Sequence, residues 1–392
     1  MKNKEASEAR RYDTPYRCRE LTEYVYGGEQ ENKDEYRKQA FAQTERFMPK
    51  KHEYNVYFGE MHGHTNLSDG APEPEKYFPH LKDNAKLDFG ALTDHDHGGV
   101  GYAELYGEKW EIIKELVKKY YEPGKFTTLL AYERDSYPWY NNMVAYFGNH
   151  DADMLPQSIS GEITKEELKN ALERDDVLLA PHDTYHIEAG SDLKNMDKSL
   201  YTELFEIYSC ADAAEYFGNP NNDAPALCEG GFFQDALRNG AKMGVIAGSD
   251  SHCLENGLNF PEREGAQRYN GLTAVLAKEN TVEGIFEALK ARRCYAFMGG
   301  RIYIDFRVND HLMGEEITSN GRRSMYFSVE ADAEVEKITI VKNCRDYIIF
   351  KMSEYLLFDS CENEEDIYYL RVELKDGRVA WTSPIWVKEE QV

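Results

Sequence analysis

The residues best suited to chemistry are histidines and carboxylates that recur in short clusters. The first reads Gly59-Glu60-Met61-His62-Gly63-His64-Thr65 and continues to Ser68-Asp69-Gly70. Thr93-Asp94-His95-Asp96-His97 forms another, followed by Tyr132-Glu133, Pro181-His182-Asp183 and Gly248-Ser249-Asp250-Ser251-His252. Imidazole and carboxylate together suit Zn, Mn or Fe, and one carboxylate can bridge two ions. Alternate residues of an extended segment share one side, so His62 and His64 can reach a single ion. Gathered on one rim, so many ionisable groups would be prohibitive without cations between them. Each has a plainer reading alone: Asp69 as a turn former before Gly70, Asp250 as a helix N-cap, any one His as an ordinary hydrogen-bonded residue. Their recurrence at successive strand ends is what points to a metal centre.

The elements that must position these groups are short. Strands are expected over 54–59, 89–93, 126–132, 143–147, 177–180, 204–208, 243–247 and 272–276, with helices over 73–85, 104–121, 165–174, 224–239 and 282–292. Alternation at this spacing predicts a mostly parallel sheet, and so many repeats favour a closed barrel. Active sites of such barrels assemble at the carboxyl ends of the strands, where each cluster falls. After about Cys294 the helices stop, and 302–308, 324–331, 338–342, 347–351, 367–374 and 385–387 read as strands of a small all-β, sandwich-like domain. The expected organisation is an N-terminal extension over 1–50 with a helix over 34–47, a metal-binding barrel over 51–295 and a C-terminal β domain over 296–392.

The bulk numbers fit a folded protein. The chain has 392 residues, 41% hydrophobic and 13% aromatic, which allows a large core. Lys+Arg 46 against Asp+Glu 71 gives a net charge of −25, a surface that repels phosphate backbones and argues against binding long nucleic acid. The seven cysteines form no CxxC pair, as expected of reduced thiols in a cytoplasmic protein. The first twenty residues show no apolar signal region, and no run reaches the ~18 apolar residues of a membrane span.

GEMHGHTNLSDG, then ALTDHD, a strand-end Glu, a strand-end PHD and finally GSDSH resembles, as an ordered set, the PHP (polymerase and histidinol phosphatase) superfamily. The match covers about residues 54–276. It implies a distorted (β/α)7 barrel with two to three divalent ions, and activity as a phosphoesterase. By that resemblance His62, His64, Glu133 and Asp250 would hold a first ion. Glu133 would bridge to a second, also bound by His182, while Asp69, His95 and His252 would hold a third. One departure stands out: family members supply another His on the strand after the bridging Glu, and here that stretch reads Tyr140-Asn141-Asn142-Met143-Val144-Ala145-Tyr146-Phe147. Asn142 or Asn141 is the available substitute, and His150 lies three residues beyond. The segment 288–300 resembles the junction between barrel and β domain in longer PHP-type proteins.

The chemistry expected of a competent site is hydrolysis of a small phosphorylated substrate by a metal-bridging hydroxide, because cations lower the pKa of bound water and clamp phosphoryl oxygens. Glu133, Asp94 and Asp183 are the candidate catalytic carboxylates, the latter two with Asp96 and His97 as groups that orient ligand imidazoles or move protons. Arg134 is a candidate phosphate contact. Trp139, Tyr140, Tyr185 and Tyr216 could stack a sugar or base or simply pack. The Gly-rich stretch 98–101 lacks the Lys-Ser/Thr of a phosphate loop and reads as a rim loop. Cys253 reads as a bystander and Met61 as core. Two other readings remain: a noncatalytic metal-stabilised binding module, and a hydrolase of non-phosphate bonds. The β domain could also mediate homo-oligomers.

Overall fold

The structure is a computed structural model, and it describes residues 53–96, 105, 107–135, 142–155, 164–186, 191–209, 212–222, 227–259 and 269–390. The expected extension over 1–50, His97, the Gly-rich stretch, Trp139, Tyr140 and Asn141 lie outside the described residues.

The buried apolar runs of the first half form strands β1 (Asn55–Glu60), β2 (Phe89–Leu92), β3 (Thr127–Asp135), β4 (Asn142–Phe147), β5 (Val177–His182), β6 (Leu204–Ser209), β7 (Asp212–Ala213), β8 (Gly244–Ala247) and β9 (Gly271–Ala277). Strands β2, β5, β6, β8 and β9 are buried at every position, which is why they read as continuous apolar runs rather than alternating ones. β1, β2 and β3 are parallel neighbours, and β6 pairs with β8 in parallel. β4 departs from the expected parallel order. It runs antiparallel to both β3 and β5. Only residues 136–141 separate β3 from β4, too few for a crossover. β4 therefore enters the site rim with its first residue, Asn142, beside His182 in the β4–β5 register.

Helices are few. Glu108–Tyr120 and Val282–Lys290 lay apolar faces on the sheet, burying Ile113, Leu116 and Val117 in one and Ile285, Phe286 and Leu289 in the other. Lys165–Leu172 begins at a Thr164–Glu167 capping box. The expected helix over 73–85 is a broken spiral, Pro74–Lys76, Tyr77–Pro79 and His80–Asn84, widening to a π turn after Pro79, whose ring denies a backbone donor. Of the expected helix over 224–239, residues 224–226 lie outside the described residues and the described part is helical over Phe233–Arg238. Ahead of it the chain passes close to the backbone of Thr184, where a Cβ on Gly231 would stand 2.3 Å from the carbonyl oxygen.

The second half is strand throughout: β10 (Cys294–Met298), β11 (Ile302–Val308), β12 (His311–Leu312), β13 (Glu316–Ser319), β14 (Arg323–Ala331), β15 (Val335–Lys342), β16 (Arg345–Phe350), β17 (Glu354–Asp359), β18 (Glu365–Leu374), β19 (Val379–Thr382) and β20 (Ile385–Glu389). One sheet carries β12, β11, β14 and β17. β10 is hydrogen bonded to β9 on one edge and β19 on the other, so a single sheet runs from β5 through β1 to β20. The result is a mixed α/β protein dominated by a large β-rich sheet. Among the described residues no helix is long and apolar enough to cross a membrane.

Candidate metal centre

The clusters meet because the loops beyond the strands are stitched to one another. His64 N donates to Ser251 O (3.0 Å) and Asp250 N to His62 O (2.9 Å), joining the ends of β1 and β8. Glu133 N donates to Asp94 O (3.1 Å) and Asp96 N to Glu133 O (2.8 Å), joining the ends of β2 and β3. Gly248 makes the first of these joints possible: a Cβ there would lie 2.3 Å from Cβ of His62.

Four donor atoms converge at the buried end. Nε2 of His62 is 3.1 Å from Oε2 of Glu133 and 3.6 Å from Oδ1 of Asp250. Nε2 of His64 is 3.3 Å and 3.0 Å from the same two oxygens, and 3.2 Å from Nε2 of His62. These spacings match the edges of a tetrahedron around one ion, ~3.3 Å for bonds of ~2.0 Å. The set is the one expected for the first ion.

A second group opens toward solvent. His252 Nε2 lies 3.1 Å from Oδ2 of Asp69, and His95 Nε2 lies 3.9 Å from Oδ1. His64 lies between the rings of His252 (centroids 4.2 Å apart) and His95 (4.6 Å). Its Nδ1 is buried without a hydrogen bond, 3.8 Å from Asp69, and closes this group of His64, Asp69, His95 and His252. Side-chain exposure rises from 0% at His62 to 17% at Asp69 and 35% at His252, so the centre is approached from the Asp69–His252 side.

A third group is His62, His182 and Glu206. His182 therefore stands with Glu206 (2.7 Å) and Asp250 (3.5 Å). Glu133 turns its Oε2 toward His62, His64 and His95, and its Oε1 accepts from Asn142 Nδ2 at 2.8 Å. Asn142 thus donates to the expected bridging carboxylate.

Other candidates lie aside. Asp94 accepts from Thr65 and Ser68. Asp183, with φ of +59°, faces His186 at 3.1 Å. His150 Nε2 bonds Thr128 O at 2.8 Å, away from the cluster. Tyr185 is core, stacked on Phe232, and Arg371 lies over the ring of Tyr216. Arg134 and Met61 are buried, and Cys253 is exposed.

Two buried carboxylates escaped the sequence reading. Glu206 sits in the apolar run Leu204-Phe205-Glu206-Ile207-Tyr208, where a lone charge inside a buried strand was the available signal. Glu60, the last residue of β1, accepts from the backbone N–H groups of His62 (3.0 Å) and Ser249 (2.8 Å). Burial lifts its carboxyl to about 7, against the backbone hydrogen bonds that favour the anion.

The electrostatics are those of a cation site. Burial alone would keep the imidazoles neutral, yet Glu206, Asp250 and Glu133 outweigh it and hold His62 well above its usual range. Burial is likewise outweighed at His64, raised to about 9 by Asp250 and Glu133. Burial works against the anions of Glu133 and Asp250, but the facing imidazoles hold both well below the usual carboxylate range. Positive charge is favoured wherever these donors converge.

Comparison with known proteins adds the following. A family model described as "Protein of unknown function (DUF3604)" matches residues 77–184 and 260–326. An uncharacterized protein of Chlamydia pneumoniae is 25% identical over 365 residues, and one of Chlamydia muridarum is 23% identical over 372. Each alignment covers 85% of this chain, which spans only 57% of the length of these curated relatives. Among solved structures, a two-domain protein from Bacteroides vulgatus, containing a predicted PHP-like metal-dependent phosphoesterase, is similar at 15% identity and a TM-score of 0.41, over 85% of this chain and 96% of that one.

Proposed function

We propose that this protein is a metal-dependent phosphoesterase of the PHP type, acting on a small phosphorylated substrate. The observation that carries the reading is the convergence of His62, His64, Glu133 and Asp250 on one point, with Asp69, His95 and His252 beside them. The donor set fits Zn, Mn or Fe: imidazole nitrogens and carboxylate oxygens, no thiolate, and spacings of 3.0–3.6 Å. The ordered motifs similar to those of the PHP superfamily point the same way. On this reading β1–β6 and β8 belong to a distorted (β/α)7 barrel over 51–295, and the strands from β11 onward form the β domain over 296–392.

Divalent ions held there would supply Lewis acidity and a bound water of lowered pKa. The chain's own residues set the rest. The half-exposed Asp69–His252 side admits a phosphate, and the net charge of −25 elsewhere disfavours a long nucleic acid. Glu60 braces the ends of β1 and β8 through His62 N and Ser249 N, which keeps His62 and Asp250 in register. Asn142 restrains Glu133 through Oε1 and leaves Oε2 to face the imidazoles. The five described cysteines are free, and we place the protein in the cytoplasm on that ground.

The test is metal content by inductively coupled plasma mass spectrometry of protein purified without chelator, beside His62→Ala and Asp250→Ala, followed by a phosphoester panel. Bound Zn, Mn or Fe that falls in both variants, with hydrolysis that a chelator abolishes, is expected. Wild-type protein that neither carries nor takes up these metals would overturn the reading. Bound metal without turnover of phosphoesters, lactones or amides would instead favour the noncatalytic binding module.

A further inference from the structure

Glu206 is the third residue of β6 and is 3% exposed, while Leu204, Phe205 and Ile207 around it are wholly apolar and buried. A carboxylate in such a strand is strongly disfavoured unless it is paired. Its partners are two imidazoles. His62 Nδ1 lies 3.2 and 3.0 Å from its two oxygens, and His182 Nδ1 lies 2.7 Å from Oε2. In both rings the other nitrogen faces the centre: His62 Nε2 toward Glu133 and Asp250, His182 Nε2 toward Oδ2 of Asp250 at 3.5 Å. A neutral imidazole carries one proton, so a ring that donates Nδ1–H to Glu206 presents its lone pair at Nε2.

We infer that Glu206 is a positioning residue, which holds both His62 and His182 in the Nδ1–H tautomer with their Nε2 lone pairs turned to the ions, and is not itself an ion ligand. The inference rests on the metal-centre reading above. The rival assignment, an ion bound by Glu206 and the two Nδ1 atoms, is disfavoured on two grounds. The 2.7 Å between His182 Nδ1 and Oε2 of Glu206 is that of an N–H···O hydrogen bond, below every edge of the first group and well short of the ~3.3 Å between donors sharing a tetrahedral ion with ~2.0 Å bonds. An ion on His62 Nδ1 would also strip the ring of its last proton, because Nε2 already faces Glu133 and Asp250. One carboxylate orienting two ligand imidazoles couples them: whatever displaces Glu206 frees both rings at once.

The test uses the full chain stripped by chelator and titrated with zinc against a chromophoric competitor, for wild type, Glu206→Gln and Glu206→Leu. Bound equivalents at saturation are counted by mass spectrometry. A positioning role leaves the equivalents unchanged and weakens affinity, by about 10-fold in Gln, which keeps an acceptor for one ring, and about 100-fold in Leu. Loss of one equivalent in both variants, with the rest bound as in wild type, would make Glu206 a ligand and overturn the inference. Unchanged affinity would overturn it too. Wild type that binds no zinc would sink the underlying metal reading instead. Nitrogen-15 histidine spectra of the zinc-loaded wild type give a check that needs no variant. Two rings with protonated Nδ1 and metal-bound Nε2 are expected at His62 and His182, and a His62 ring without a proton on either nitrogen would contradict the inference.

Discussion

Asp94 grips Thr65 twice, with Oδ1 accepting the backbone N–H at 2.8 Å and Oδ2 the hydroxyl at 2.6 Å. Ser68 adds two more donors to Oδ1, its N–H at 3.1 Å and its hydroxyl at 2.6 Å. Neighbouring His95 in sequence, Asp94 thus shapes the turn that carries Asp69 rather than pointing into the cluster of imidazoles and carboxylates. Asp94→Ala leaves those buried donors unsatisfied and should cost about 3 kcal/mol of stability, with Asp94→Asn losing less because the amide keeps one acceptor. Urea denaturation of both variants checks the order, and a loss no larger in Ala than in Asn would contradict this role.

The ion-free centre should make stability depend on pH. His64 is held at about 9 in the folded protein, as Asp250 and Glu133 overcome burial, and burial holds Glu60 at about 7. A raised folded pKa gives stabilisation that is complete below the unfolded value and disappears as pH rises through the folded one. Glu60 then loses its contribution between about pH 4.5 and 7 and His64 between about 6.5 and 9, the latter worth about 3 kcal/mol. The chelated protein should melt at falling temperature across that range, and the zinc-loaded protein should fall less. Thermal scans with and without chelator at fixed ionic strength decide it.

Asn142 offers a sharper probe of the Glu133 end. Asn142→Asp places a second carboxylate where an amide now donates at 2.8 Å. Like charges at that distance repel, so the chelated variant should be less stable than chelated wild type by about 1–3 kcal/mol, with the gap narrowing when zinc is added. Equal gaps with and without zinc would show that the position does not sense the ions.

Glu215 provides a contrast far from the chemistry. Its carboxylate accepts from Tyr369 Oη (2.7 Å), Arg371 Nη1 (2.9 Å) and Trp381 Nε1 (2.8 Å), tying the segment after β7 to β18 and β19. Glu215→Ala would leave Tyr369 Oη and Trp381 Nε1 without this acceptor while Arg371 keeps Asp346 at 2.7 Å, at a cost of about 2–3 kcal/mol, with metal per folded molecule staying as in wild type. Denaturant midpoints paired with metal analysis separate the two effects.

What the sequence makes legible follows from local chemistry. His62, His64, Asp69, His95, Glu133, Asp250 and His252 fall at strand ends or in the loops that follow them and are brought together, because strand ends are set by short-range pattern. The partner of His182 is another matter. Glu206 lies inside a strand, and only the spatial neighbourhood of β5 and β6 reveals why a charge belongs there. The reversed direction of β4 escapes a reading by alternation, since strand pattern carries no sense of direction. Strands β10 and β19 escape the same reading for a related reason. Cys294–Met298 and Val379–Thr382 are short and buried on both faces, so no alternation marks them.

The double pairing of β10 has a dynamic consequence. With β9 on one edge and β19 on the other, β10 cannot leave without breaking two ladders of backbone hydrogen bonds. Amides of β10 should then exchange with solvent slowly, through opening of the sheet on both sides at once rather than by fraying of one edge.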